Sequence, residues 1–172
     1  GLGAALRDGL GAALARAAAD DVVVTMDADD THAPDLIPAM LAQLDAGADV
    51  VIASRFVRGA SVLGVPAGRR ALSRAASWLL RLRRPTRGVR DYTCGYRAYR
   101  VSLLRAATAQ YGDQLIAEAG FQCMLALLLR LRAMRARFAE VPLVLHYDRK
   151  RGVSKMDVAR TVRDSLRLLR GE

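Results

Sequence analysis

Blocks of apolar residues alternate with polar stretches along the first third of the chain, and their lengths predict helices and strands in turn. Residues 2–19 are rich in helix-favouring Ala and Leu. The run 22–26 (VVVTM) has the length and apolar character of a strand that is buried on both faces. A Pro at its start suits a helix over 34–44, and a second buried strand is predicted over 49–54. This order indicates an α/β fold with a parallel sheet covered by helices.

The rest of the chain predicts a less regular succession of loops, helices and strands. A Gly-rich loop over 57–68 precedes a helix over 69–82 that has one broad apolar side. The later predicted elements are a loop at 84–92, a strand at 94–99, a helix at 121–131, a strand at 137–147 and a helix at 156–169. Arg residues surround the last helix. If the protein acts on a membrane lipid, residues 156–170 are a candidate for contact with the membrane surface; the alternative is a helix that simply packs on the sheet. We expect the whole chain, 1–172, to form one domain.

The charge balance of the chain favours anionic partners. Its 172 residues include 27 Lys and Arg against 17 Asp and Glu, which gives a net charge of +10. Nucleic acid, anionic lipid headgroups and phosphorylated small molecules would suit such a surface, and a generic basic surface is the alternative. The two cysteines, Cys94 and Cys123, lack the spacing of metal ligands, which indicates a reduced, cytoplasmic protein. No targeting signal is visible, and no uncharged apolar run has the length of a transmembrane helix.

Three carboxylates follow the first predicted strand: Asp27, Asp29 and Asp30. Residues that follow a buried parallel strand lie at the carboxyl edge of the sheet, where open α/β folds bind ligands. Asp27 and Asp29 are two positions apart, so in an extended segment their side chains share a face and can hold one ion. Carboxylate oxygens suit Mg²⁺ or Mn²⁺, which also bind substrate phosphates. The alternative is that Asp30 or Thr31 caps the following helix while the other carboxylates are solvated.

Two enzyme classes share this local pattern. The stretch Asp27–Thr31 (DADDT) is similar to the Asp-x-Asp-x-Thr motif of haloacid-dehalogenase-type phosphatases, in which Asp27 would be the nucleophile and Asp29 the acid/base. That chemistry also needs a later apolar strand that ends in an acidic pair, and the sequence contains no such pair. In nucleotide-sugar transferases the same Asp-x-Asp holds a metal ion on the diphosphate, so the rest of the chain has to decide between the two classes.

Five segments carry a wider resemblance: GLGAALRDGL, VVVTMDADDTHAPDLIPAML, ADVVIASRF, DYTCGYRAYR and EVPLVLHYDRKRGVSK. In this order they resemble the family-2 glycosyltransferases, specifically the dolichol- and polyprenyl-phosphate hexose synthases. The resemblance implies an α/β fold of the nucleotide-diphospho-sugar transferase (GT-A) type, with a mostly parallel sheet flanked by helices. It also implies metal-dependent, inverting transfer of a hexose from a nucleotide diphosphate sugar to a polyprenyl phosphate, such as dolichyl or undecaprenyl phosphate.

Family members begin with two strands that would precede residue 1, and this chain has no initiator Met. We therefore expect a domain that is incomplete at its N-terminus, with the strand at 22–26 left at an unpaired edge of the sheet. A second departure is Met124, which stands where many relatives carry a Glu.

The resemblance also implies roles for individual residues. Asp27 and Asp29 would be catalytic and hold Mg²⁺ or Mn²⁺, with Asp27 and Ala28 beside the nucleotide sugar. Thr31 would supply a hydroxyl, and Arg55, which follows the second strand, would be the third catalytic residue. The other substrate-binding residues implied by the match are Arg69 and Ser73 near the lipid phosphate, Asp91 at the wall of the sugar site, and Arg149 and Lys155 on a loop over the diphosphate.

The same resemblance implies partners and a location. A lipid phosphate is an anion at pH 7 and can attack without a general base, which suits a chain with two histidines, His32 and His146, and no evident nucleophile beside them. The implied partners are a nucleotide diphosphate sugar, a polyprenyl phosphate and an anionic membrane surface, with no nucleic acid. The implied location is cytoplasmic, peripheral at the inner face of the membrane. An inactive relative that only binds membranes is the non-enzymatic alternative.

Overall fold

The computed structural model describes residues 1–147, and within them every side chain except those of Arg69 and Leu72. The predicted helix at 156–169, Arg149 and Lys155 lie outside this range. The described helices are α1 (Leu2–Leu14), α2 (Ile37–Asp45), α3 (Ala67–Arg83), α4 (Val101–Tyr111) and α5 (Gln122–Ala133). The described strands are β1 (Val22–Thr25), β2 (Val50–Ser54), β3 (Ser61–Leu63), β4 (Arg97–Arg100), β5 (Phe138–Pro142) and β6 (Val144–His146). None of these helices is both long enough and apolar enough to span a bilayer.

The main sheet has the strand order β1-β4-β2-β5. β4 runs antiparallel to its two neighbours, whereas β5 is parallel to β2. Three of the four strands therefore share one direction, as predicted, but β4 lies between β1 and β2 and makes the sheet mixed. Within residues 1–147, β1 has a strand partner on one side only, so it forms the edge of this sheet.

The strand directions bring three distant segments of the chain to one end of the sheet. β1 and β2 both end there, and β4 begins there, because Arg97 is paired with Thr25 on one side and with Ile52 on the other. The residues after β1, the residues after β2 and the residues before β4 are therefore spatial neighbours. This shared end is where the candidate site lies.

β2 occupies the centre of the core. All of its residues are buried, and because successive side chains of a strand point to opposite faces, the sheet is covered on both faces at this strand. α5 is also almost wholly buried, with Leu125, Leu127, Leu128 and Leu131 among its core side chains. The apolar runs that predict a strand at 49–54 and a helix at 121–131 thus correspond to two elements of the core.

One predicted strand starts later than expected. The alternation at 94–99 predicts a strand over that range, but β4 begins at Arg97. The N–H groups of Thr93 and Cys94 donate to the Asp91 carboxylate, which folds the residues before β4 into a loop. The backbone N–H groups of this segment thus donate to an acidic side chain and not to the neighbouring strand, as they would in a β-sheet.

The predicted strand at 137–147 is divided between two sheets. β5 pairs with β2, whereas β6 pairs in parallel with β3, which lies inside the predicted loop at 57–68. Between them the N–H of Leu143 donates to the carbonyl of Ser54 at 3.0 Å. The chain therefore leaves the main sheet immediately after Pro142. The helix α4 has no counterpart among the predicted elements.

Candidate active site

The turn after β1 holds the acidic cluster in a defined conformation. Thr31 is 3% exposed, and its hydroxyl donates to Asp29 Oδ1 at 2.6 Å. Its N–H donates to the same oxygen at 3.3 Å. Asp30, between them, has φ 64°, in the left-handed region that Asp tolerates better than most residues. Thr31 thus orients Asp29, which is half-buried, while the Asp27 carboxylate is exposed.

The alternative in which Asp30 or Thr31 caps the next helix is wrong. A short 3-10 helix, Pro34–Leu36, leads into α2 and has Ala33 as its N-cap residue. The N-cap residue of α2 is Leu36, and neither N-cap has a side-chain hydrogen bond to the helix. The Thr31 hydroxyl is bonded to Asp29 instead of to a helix N-terminus. The acidic cluster therefore forms a turn of its own that precedes the helix.

His32 fixes the main chain at Asp27. The N–H of Asp27 donates to His32 Nδ1 at 3.1 Å. The imidazole is 6% exposed and stacks on the Tyr96 ring, with centroids 5.0 Å apart. The Tyr96 hydroxyl donates to the carbonyl of Ala33, and Thr25 Oγ1 donates to the carbonyl of Gly95 at 2.8 Å. The turn after β1 and the loop before β4 are thus joined side by side.

Arg55, the first residue after β2, is held by Asp91 from the loop before β4. Arg55 Nε donates to Asp91 Oδ2 at 2.7 Å, and Nη2 donates to Asp91 Oδ1 at 2.8 Å. Nη2 also donates to Thr93 Oγ1, and the Arg55 N–H donates to Asp91 Oδ2. The guanidinium Nη1 makes no hydrogen bond within the described residues, and the side chain keeps 21% of its surface exposed. A two-point ion pair of this kind fixes the plane of the guanidinium.

The pKa shifts of this pair keep both groups charged. Burial alone would lower the pKa of Arg55 and raise the pKa of Asp91. The ion pair and its hydrogen bonds outweigh burial, so the pKa of Arg55 is raised and the pKa of Asp91 is lowered from their ordinary values. Burial also raises the pKa of the neighbouring Cys94 thiol to about 12. The thiol is therefore protonated at neutral pH and is not a nucleophile of this site.

A cavity of about 870 Å³ opens at this end of the sheet. Its polar wall includes Asp27, Thr31, Arg55, Ser73 and Thr93. Its apolar wall comes from α1, β1 and α5 and includes Leu6, Leu10, Val23, Val24, Phe121 and Leu125. The cavity thus has both a charged end, at the ends of the strands, and a large apolar flank.

The structure brings together most of the residues predicted for the site. Asp27, Thr31, Arg55 and Ser73 line the cavity, whereas Asp91 is fully buried behind Arg55. Ala28 and Asp29 belong to the turn that contains Asp27. Arg70 and Arg74, which were not predicted, also line the cavity, on the same helix as Ser73. For Arg69 the structure describes the backbone alone, and Arg149 and Lys155 are outside its range.

The residues present fit a divalent cation that is shared with a substrate. Asp27 presents an exposed carboxylate at the cavity, and Asp29 is held next to it by Thr31. Residues 1–147 contain no group of three or more His, Cys, Asp or Glu that could enclose a metal ion. One or two carboxylates, with the other ligands from water and a diphosphate, are how proteins usually bind Mg²⁺. Among residues 1–147 the site lacks the closed ligand set of a structural metal.

Three residues support the site through contacts that the sequence did not indicate: His32, Arg97 and Glu140. The Arg97 side chain is fully buried and donates to the carbonyls of Tyr92, Cys94 and Met124, each at 2.8 Å. A signal was available for Arg97, since a charged residue between apolar and aromatic neighbours in a buried strand needs a specific partner. His32 accepts from a backbone N–H in an irregular turn, and Glu140 accepts from backbone N–H groups about 50 residues away in the sequence. The residues around them in the sequence give no comparable signal.

The comparisons with known proteins agree with this fold. A solved glucosyl-3-phosphoglycerate synthase from Mycobacterium tuberculosis, in complex with phosphoglyceric acid, aligns with a TM-score of 0.62 over 98% of this chain and 55% of that chain. At 22% sequence identity this likeness shows the fold alone, which is that of the GT-A glycosyltransferases. Residues 1–107 match the family described as "Glycosyl transferase family 2". The chain therefore belongs to glycosyltransferase family 2.

Curated relatives point to one branch of the family. A polyprenol monophosphomannose synthase of Mycolicibacterium smegmatis is 37% identical over 156 residues, which is 91% of this chain and 56% of that protein. An undecaprenyl-phosphate mannosyltransferase of Micrococcus luteus is 35% identical over 79% of this chain and 53% of that protein. A dolichol-phosphate mannosyltransferase of Pyrococcus furiosus is 30% identical over 81% of this chain and 37% of that protein. The chain thus spans about half the length, or less, of these relatives.

The family match also decides between the two enzyme classes. The matched range includes the whole of Asp27–Thr31, the stretch that resembles the phosphatase motif. The sheet around this stretch is that of a glycosyltransferase. The phosphatase alternative is therefore set aside.

Proposed function

We propose that the protein transfers a hexose from a nucleotide diphosphate sugar to a polyprenyl phosphate, with inversion at the sugar carbon and with the help of Mg²⁺ or Mn²⁺. The observation that carries this proposal is the cavity in which the exposed Asp27 carboxylate and the Asp91-bound Arg55 share one polar wall. Opposite charges at that wall suit a cation–diphosphate pair. The three relatives described above are named as polyprenol, undecaprenyl-phosphate and dolichol-phosphate mannose enzymes, which supports the acceptor class.

The donor end of the site consists of Asp27, Asp29 and Arg55. A divalent ion held by Asp27 and Asp29 would offset the negative charge that grows on the leaving diphosphate. Arg55 contributes a second positive charge, and Asp91 fixes its orientation before substrate binds. Preorganised charge costs no reorganisation during the reaction, which is why the Asp91 ion pair favours catalysis as well as binding. Asp91 itself is a positioning residue, because its carboxylate is buried behind Arg55.

The acceptor end lies along α3. Ser73 lines the cavity together with Arg70 and Arg74, so a hydroxyl and two guanidinium groups are available for a lipid phosphate. A phosphate oxygen that is already an anion attacks the sugar carbon directly, and a single displacement inverts its configuration. The step therefore needs no protein base, and the His32 Nδ1 lone pair is already bonded to the Asp27 amide. Arg69, Arg149 and Lys155 stay predictions for the same phosphates.

The proposed membrane contact uses the outer face of α3. Residues 50–90 contain ten Arg and no Asp or Glu. On α3, Trp78 is 64% exposed and Leu82, one turn later, is 58% exposed. A helix with basic residues around exposed apolar ones suits the interface of an anionic bilayer. We propose that the protein is peripheral at the inner, cytoplasmic face of the membrane, where residues 156–170 would add a second contact.

The direct test is a transfer assay on the full-length protein, with labelled nucleotide sugars and polyprenyl phosphate, before and after removal of divalent metal. We expect the activity to require Mg²⁺ or Mn²⁺. Asp29→Ala should lower the rate by about 100-fold or more, since it removes a metal carboxylate. Asp30→Ala is the matched control and should retain most of the activity, because Asp30 serves the turn.

Three results would contradict the proposal. Metal-independent transfer, or an Asp30→Ala variant that is more damaged than Asp29→Ala, would mean that the carboxylates have other roles. Membrane binding without binding of any nucleotide sugar would favour the non-enzymatic relative.

A further inference from the structure

Glu140 supports the candidate site from a strand that does not reach the cavity. It lies in β5, paired with Ile52 of β2, and is half-buried. Its Oε1 accepts two hydrogen bonds, from the N–H of Arg90 at 2.8 Å and from the N–H of Asp91 at 2.7 Å. Burial raises the pKa of this carboxyl above its ordinary value. The side chain is thus held in a partly buried environment, and its hydrogen bonds go to the main chain of the loop before β4 and to the side chain of Ser54.

The loop that Glu140 holds is the one that carries the partner of Arg55. Asp91, whose N–H is bonded to Glu140, makes the two-point ion pair with Arg55 through its side chain. Arg55 in turn lines the cavity beside Asp27. Three segments that are distant in sequence are therefore connected in series: β5, the loop before β4, and the residue after β2.

We propose that Glu140 is a positioning residue for Arg55. By fixing the main chain at Asp91, Glu140 places the Asp91 carboxylate where it holds the Arg55 guanidinium at the polar wall of the cavity. Without this anchor the 90–91 backbone loses two hydrogen bonds, and the ion pair loses its fixed geometry. The link to catalysis rests on the function proposed above, whereas the link to the orientation of Arg55 does not.

The contact requires an acceptor oxygen and does not require a charge. Glu140→Gln retains an oxygen in the place of Oε1, so both backbone N–H groups keep a partner. Glu140→Leu has a similar volume and removes the acceptor, which leaves the two N–H groups unpaired beside a buried loop. The pair of variants thus separates the hydrogen bonds of Glu140 from its packing.

The first measurement follows Arg55 itself. In the full-length protein with ¹⁵N-labelled arginine, the Nε–H resonance of Arg55, assigned by its loss in Arg55→Met, reports the bond to Asp91. We expect Glu140→Gln to leave this resonance near its wild-type position and Glu140→Leu to shift or broaden it. An unchanged resonance in a folded Glu140→Leu variant overturns the proposal, whatever the protein catalyses.

The second measurement is the transfer activity. Glu140→Leu should lower kcat/KM for the nucleotide sugar by about tenfold, and Glu140→Gln by less than about threefold, because only the first breaks bonds to a buried group. In an Arg55→Met background, adding Glu140→Leu should have little further effect, since the residue that it positions is gone. Equal losses in the wild-type and Arg55→Met backgrounds would overturn the proposal.

Glu118 offers a matched control. Its carboxylate is similarly sheltered and pairs with Arg130 at 2.8 Å, away from the polar wall of the cavity. Glu118→Leu should lower the stability of the fold and leave both the Arg55 resonance and kcat/KM near wild type. The contrary result is that Glu118→Leu reduces kcat/KM as much as Glu140→Leu does, with the Arg55 resonance unchanged in both variants. General destabilisation would then explain the loss of activity, and the proposal would be wrong. If the wild type transfers no sugar while Glu140→Leu still shifts the resonance, the proposed function fails and the positioning role stands.

Discussion

His32 shows what a single buried residue does for the candidate site. Its Nδ1 accepts from the Asp27 N–H, so the imidazole determines where the chain leaves β1 and where the first carboxylate stands. Its ring also packs on Tyr96, so it connects the turn after β1 to the loop before β4. Both contacts are to protein groups, so His32 supports the two loops that form the polar part of the site.

Substitution of His32 should separate these two contacts. Asn places an oxygen near the position of Nδ1, whereas Leu provides bulk without an acceptor. We expect His32→Leu to weaken the binding of a nucleoside diphosphate in the presence of Mn²⁺ by about tenfold, because the Asp27 amide loses its partner. His32→Asn should recover a large part of that loss. Titration calorimetry on the full-length protein measures both, and equal weakening by the two variants would show that stacking on Tyr96 is what matters.

At the scale of elements, Arg97 connects β4 to its surroundings. Its guanidinium, fully buried, joins the loop at Tyr92 and Cys94 to the first turn of α5 at Met124. The Met124 contact uses the backbone carbonyl, so it is available whichever side chain stands at this position. β4 is paired on both sides, and Arg97 therefore holds the loop and the helix against the middle of the sheet.

Removal of Arg97 should be among the most damaging changes to the fold. Arg97→Met leaves three buried carbonyls without a donor, and we expect the free energy of unfolding to fall by about 3 kcal/mol or more. Arg105, which also donates to two backbone carbonyls but is exposed, is the control, and Arg105→Met should cost less than about 1 kcal/mol because water can replace it. Urea denaturation measures the difference. Similar losses for the two variants would mean that the three carbonyls bonded to Arg97 find other donors when it is replaced.

At the scale of the whole molecule, the distribution of charge matters more than the net value of +10. The segment 50–90, which has no acidic residue, includes all of α3 and the first part of the loop that follows it. The cavity opens against the same helix through Ser73. A strongly basic segment therefore lies next to the proposed site for a lipid-linked phosphate.

The proposed membrane contact predicts a dependence on both charge and apolar insertion. Binding to vesicles that contain anionic lipid should weaken by about tenfold or more between 0.1 and 0.5 M salt, because screening shortens the range of the Arg attraction. Trp78→Ser should weaken binding at low salt, whereas Val144→Ser, an exposed apolar position on β6, should not. Vesicle sedimentation measures all three. Binding that is insensitive to salt, or equal losses for the two variants, would locate the contact elsewhere on the molecule.

The sequence by itself determined the family, the α/β class and the elements that are apolar without interruption. β2 and α5 were predictable because a buried strand or helix needs a run of apolar residues of the right length, which is a local property. The apolar run of β1 also predicted a strand, but β1 is only partly buried because it forms the edge of the sheet, and the prediction that it is buried on both faces was wrong. The acidic cluster at 27–30 was visible for the same reason, since it directly follows one of these strands. The assignment of substrate roles to these residues stays a prediction.

Tertiary structure alone decided how the site is assembled. The pairing of Arg55 with Asp91, the position of His32 beside Tyr96 and the contacts of Glu140 all join segments that become neighbours because β4 inserts between β1 and β2. No local pattern encodes that insertion, because strand order depends on which long-range pairings bury the most surface and satisfy the most backbone groups. The sequence thus indicated which carboxylates matter, while the strand order supplied the residues that hold them and Arg55 in place.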